Sequence, residues 1–177
     1  MGRGGSDLTA TIIGNCIEAK NITFYKVECN DNGDWEKGMI GIIHPNKETI
    51  SHLSFEEIHE MGKLGRTVLH RSTIEPIQNN EDITIYIKNT MEPEKDGTKI
   101  TLNGSNHFPS SPVSTIMTDT NDDKNGCKTV HLIGKNINSN QNVIDNIRSK
   151  YKIIYKSDHS ITLNCFNNDI FNLQKFC

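Results

Sequence analysis

The sequence predicts an α+β fold: a mostly antiparallel sheet with two short helices in a single compact domain. Three observations lead there. Runs rich in β-branched residues follow one another without regular alternation with helices. Alternation of period two is clear over residues 82–91, with Ile83, Ile85 and Ile87 on one face and Thr84, Tyr86 and Lys88 on the other. Helical spacing with a start signal marks two segments, one after Ser54 and one near Asn140.

The elements follow in chain order. Residues 1–7 read as a flexible glycine-rich tail ahead of one domain over residues 8–177. Residues 8–17 and 22–29 are rich in β-branched and aromatic side chains and are separated by Gly14-Asn15, so two strands are expected. A short apolar run over 39–43 ends before Pro45. Ser54 and Glu57 form a capping-box pattern, in which hydroxyl and carboxylate satisfy free donors at a helix start. Phe55, Ile58 and Met61 then recur at helical spacing, with Gly62 or Gly65 as the stop. Residues 66–74 look like a strand. Asp96-Gly97 is a turn signal that returns the chain into a strand at 98–102. Residues 103–112 form a loop, and strands at 113–118 and 127–133 flank a polar turn. The second helix spans 140–150, with Val143, Ile144 and Ile147 as its apolar side and Ser139 as cap. A hairpin of 151–155 and 161–166 turns around Ser157-Asp158.

A chain of 177 residues is long enough for one ordinary core. Its five cysteines are widely spaced, odd in number and form no C-x-x-C, which points to thiols in a reducing compartment. No apolar run reaches the length that spans a bilayer, and the amino terminus has no secretory pattern.

The motifs for chemistry are near misses. His59-Glu60 has no second histidine for a zinc protease, and His52 with His59 is a poor metal set. The run from Gly33 to Gly38 has phosphate-loop spacing without the lysine and hydroxyl residue that hold phosphate and magnesium. The stretch from Asn121 to Gly126 resembles half of a calcium loop, but Leu132 stands where a bidentate glutamate belongs. A non-enzymatic protein without catalytic residues, metal or cofactor is therefore expected.

Two features suggest binding. Gly2 with Ser6 fits the N-myristoylation pattern. Charge is also uneven: residues 1–123 carry 11 basic and 19 acidic groups, whereas residues 124–177 carry 8 basic and 3 acidic ones. Strand alternation puts Lys150, Lys152 and Lys156 on one face, beside Arg148, with Tyr151, Ile153 and Tyr155 opposite. Two roles fit that face: an ordinary solvated strand surface, or a landing strip for the phosphates of RNA or anionic lipid.

The order of helix, strand and strand over 140–166, with the chain's size and charge, resembles rhabdovirus matrix proteins, in particular the short ones of plant cytorhabdoviruses of the lettuce necrotic yellows type. That resemblance implies a virion structural protein that self-associates and links the nucleocapsid to an internal membrane of the host cytoplasm during budding. A non-enzymatic viral effector that binds RNA or a host protein is the alternative.

Overall fold

The structure is a computed structural model, and it describes residues 5–26, 42–43, 49–64, 69–104, 113–118, 127–166 and 169–173. The chain forms two compact units, Met1–His107 and Phe108–Cys177. The class is α+β, and antiparallel strand pairs predominate.

The first unit begins with helix α1 (Gly5–Cys16), where a strand was expected over 8–17. The β-branched residues that suggest a strand are accommodated because threonine hydroxyls bond back along the helix. Thr9 Oγ1 donates to Gly5 O at 2.8 Å, and Thr11 Oγ1 donates to Leu8 O at 2.9 Å. Burial falls on Thr11 and Gly14, one helical turn apart. A β-carbon on Gly14 would lie 2.6 Å from Ile22 Cδ1, so the glycine lets the helix approach the next strand closely. The helix also takes in Gly5, Ser6 and Asp7 from the stretch read as a tail.

Strand β1 (Asn21–Lys26) pairs in parallel with β5 (Thr84–Asn89), and β5 pairs antiparallel with β6 (Thr98–Thr101). β6 pairs in parallel with β4 (His52–Ser54), which completes the order β1-β5-β6-β4. A separate ribbon joins β2 (Ile42–Ile43) to β3 (Thr49–Ile50). The alternation at 82–91 is realised: Ile83, Ile85 and Ile87 are buried. With Leu53 and Ile100 they are excluded from water almost completely.

Helix α2 (Phe55–Lys63) starts on the expected capping box. Ser54 N and Ser54 Oγ donate to Glu57 Oε2 at 2.7 and 2.9 Å, and Glu57 N donates to Ser54 Oγ at 3.2 Å. The cap is itself buried. Ser54→Ala is expected to cost about 1–2 kcal/mol, read as a lower urea midpoint. The helix runs through Gly62 and stops at Lys63. Of the strand expected at 66–74, residues 66–68 lie outside the described residues, and α3 (Arg71–Ile74) is a helix that continues as a 3-10 turn, Glu75–Ile77. His70 caps α3, its ring accepting from Ser72 N, and Pro76 sits in the first turn of the 3-10 segment, where proline is tolerated.

In the second unit, β7 (Thr115–Thr118), β8 (Cys127–Ile133), β9 (Lys152–Lys156) and β10 (Ser160–Phe166) form an antiparallel sheet ordered β7-β8-β10-β9. Helix α4 (Gln141–Arg148) packs Val143, Ile144 and Ile147 into a core with Val130, Leu132, Ile161 and Leu163. Its cap is Asn140 rather than Ser139: Asn140 Oδ1 accepts from Val143 N at 3.3 Å, and Ser139 belongs to a preceding 3-10 turn. A short helix α5 (Ile170–Leu173) follows β10. Among the described residues no helix is long and apolar enough to cross a membrane.

Candidate functional site

The start of α1 gathers features that can receive an anion. A helix leaves its first four N–H groups without intrahelical partners, and its dipole makes that end positive. In sequence, Gly2, Arg3, Gly4 and Gly5 lead directly to this start, and Ser6 is exposed on its first turn. Gly5, the first residue of the helix, has no β-carbon to hold a ligand away from the backbone, and helix starts of this kind bind phosphate. Asp7 would oppose an anion, but its Oδ2 lies 2.5 Å from Lys26 Nζ, and both side chains are half-buried. Lys26 Nζ also stands 5.6 Å above the Phe24 ring. Strand β1 thus supplies the cation that neutralises the acidic residue at the helix start. Sequence reasoning missed this site because it took the glycine run for a tail; the signal available was glycines followed at once by Ser6 and Asp7.

The lysines expected to share one face are placed differently. Arg148, Lys150, Lys152 and Lys156 are all exposed. In the pairing with β10, Lys152 stands opposite Asn164 and Lys156 opposite Ile161, with the register shifting between them. Ile153 still faces Leu163, but Tyr155 faces Thr162, so the extra residue Ile154 turns the second half of the strand over. Lys152 and Lys156 therefore lie on opposite faces. Tyr155, expected on the apolar side, is 56% exposed, whereas Tyr151 packs against the core. Gly2, the expected lipidation position, lies outside the described residues.

The two histidines considered as ligands both have their protonated forms disfavoured. Burial, then the charge of Lys99, lowers the pKa of His52 from 6.5. Burial, then Lys63 and Arg71, lowers that of His59. Protons are then bound more readily by the unfolded chain as pH falls below 6.5. Stability should decline on acidification through this window and level off below the folded-state values. Urea melts at about pH 7.5 and about pH 5.5 check this, since His59→Gln should show a smaller difference between the two. Among the described residues, no group of three His, Cys, Asp or Glu could hold a metal ion.

No family model matches the chain. Its sequence is similar to Aspartokinase 2, chloroplastic, of Arabidopsis thaliana, 34% identical over 106 residues that make up 57% of this chain and 18% of that protein. Its fold is similar to the aspartate kinase of Clostridium acetobutylicum, described as an allosteric enzyme, with TM-score 0.65 and 16% identity over 99% of this chain and 57% of that one. It is also similar to E. coli aspartokinase III in complex with aspartate and ADP, with TM-score 0.55 and 15% identity over 97% of this chain and 54% of that one. The match thus takes in about a fifth of the plant relative, and the structural likenesses establish the fold.

These findings overturn the viral reading. The order of one helix and two strands over 140–166 is common to unrelated α+β domains, so it did not discriminate between families. With it fall the matrix and effector functions, the virion and host-membrane location, and the nucleocapsid, membrane and RNA partners, since the relatives are metabolic enzymes of chloroplast and bacterium. The expectation of a non-enzyme fails for the same reason: the absence of a compact motif is weak evidence when a site is assembled from dispersed residues.

Proposed function

We propose that this chain is part of an aspartokinase-type enzyme, in which it serves both phosphoryl transfer to aspartate and its regulation. The observation that carries the reading is the 34% identity to a plant aspartokinase over more than half of the chain. The fold likeness to two bacterial aspartate kinases supports it, one of them seen with aspartate and ADP and the other described as allosteric.

Within this reading the start of α1 receives phosphate oxygens of the nucleotide. Transferring phosphoryl groups carry charge on several oxygens, and positioning with electrostatic stabilisation supplies most of the catalysis. Backbone N–H groups at Gly5, Ser6 and Asp7 supply fixed donors, and the Asp7–Lys26 pair keeps the acidic side chain from repelling the ligand.

Calorimetric titration of the whole chain with magnesium-ADP and with AMP tests the proposal. A site that holds phosphates should bind ADP at least about tenfold more tightly than AMP, a difference of about 1.4 kcal/mol. Equal affinity, or no saturable heat with ADP, would count against it.

A further inference from the structure

A cavity of about 220 Å³ opens between α2 and the α3–3-10 segment of the first unit. It is distinct in its residues from the start of α1. Two of its side chains present polar atoms that are buried without a hydrogen-bond partner: Glu56 Oε2 and His59 Nε2. They are three residues apart on α2, which places them on one face of the helix, one turn from each other. We propose that this cavity binds a small primary ammonium compound with a short aliphatic chain, its ammonium held by Glu56 and His59.

A buried acceptor left unsatisfied is costly, and more so in a carboxylate, so two such atoms at one cavity ask for a donor-rich occupant. An ammonium is a compact charge with three donors. It can donate to the carboxylate oxygen and to the imidazole nitrogen together, and the side-chain amides of Gln78 and Asn79 line the same space. His59 can take the part of acceptor in the neutral tautomer that carries its proton on Nδ1, and burial with the nearby Lys63 and Arg71 disfavours the doubly protonated ring. Phe55 and Leu102 give an aliphatic chain an apolar wall.

An anion fits poorly. The lining carboxylates Glu56 and Glu75 outnumber the one guanidinium, Arg71, which is already paired to Glu75 at 3.3 Å. A single water does not fill the space, which is several times the ~30 Å³ that a water occupies in the liquid.

The source of the ammonium, a simple amine or an α-amino acid, is separable with matched probes. The whole chain is titrated with n-butylammonium, with L-norvaline (the same skeleton bearing a carboxylate) and with pentanoate, which lacks the ammonium. Both ammonium compounds should bind, and pentanoate should not. Glu56→Gln should weaken both by about tenfold or more, with urea unfolding of the variant as the folding control. His59→Leu is the second variant and should weaken both as well. Arg71→Gln should weaken norvaline alone if the amino acid is the better ligand, and neither if the amine is. Pentanoate binding as well as norvaline, no binding by either ammonium compound, or full affinity in both the Glu56 and His59 variants would overturn the proposal. It stands apart from the nucleotide reading, because ADP affinity should be unchanged in these variants.

Discussion

Gly97→Ala is expected to destabilise the first unit by about 2–4 kcal/mol, combining the cost of a left-handed backbone with that of forced overpacking. Gly97 has φ +69°, a conformation that residues with a β-carbon adopt at a cost. The larger part is steric. A β-carbon there would lie 2.1 Å from the carbonyl oxygen of Ile87 and 3.1 Å from its carbonyl carbon. Those atoms cannot swing away, because Ile87 is paired with Thr98 in the β5–β6 ladder and its side chain is fully buried. Relief requires one central strand to shift against the other. Gly62→Ala is the internal control: a β-carbon there meets nothing within 4 Å, and the residue lies inside α2. That substitution should raise stability by about 0.5–1 kcal/mol through helix propensity. Urea unfolding of both variants gives the signs directly, and equal destabilisation would refute the steric account.

In the second unit, Ile147→Ala should cost about 2–5 kcal/mol, the range for truncating a fully buried aliphatic side chain. Ile147 is 0% exposed and sits in the cluster that α4 forms with Leu132, Ile161 and Leu163. The loss combines transfer free energy with a cavity, because strand residues paired on both sides cannot collapse into the space. Ile147→Val should cost only about 0.5–1.5 kcal/mol. The ratio between the two variants is the informative quantity. Similar midpoints for both would show that the site relaxes, against the close packing described.

The parts of this fold that were legible in the sequence are those where local chemistry and tertiary burial agree. Ser54 with Glu57 specified a helix start, and the structure forms both reciprocal hydrogen bonds. The spacing of Ile83, Ile85 and Ile87 matched a half-buried strand, and Asp96-Gly97 supplied the return. The failures lie where two signals compete. Over 8–17 the β-branched residues favour a strand, yet the exposed Ile12 and Ile13 and the buried Thr11 and Gly14 follow a helical face. In β9 the alternation was right until Ile154, where the register shift reversed the faces of Tyr155 and Lys156; nothing in the sequence marks that position.

The candidate site was harder to see for a different reason. An anion site at a helix start uses backbone N–H groups, so it leaves few side chains to recognise. Gly2 to Gly5 carry the signal only once the helix that follows them is known. A lysine cluster, by contrast, is conspicuous in sequence and says little about geometry: Lys152 and Lys156 are four residues apart and face opposite ways.

The placement of the nucleotide is tested most directly by following the backbone amides of the isotope-labelled chain by NMR during titration with magnesium-ADP. The account predicts that the largest shifts fall on Gly5, Ser6 and Asp7 and saturate together, with Lys26 responding through its pair with Asp7. Shifts confined to Arg148, Lys150, Lys152 and Lys156, or no saturable change at the start of α1, would contradict it.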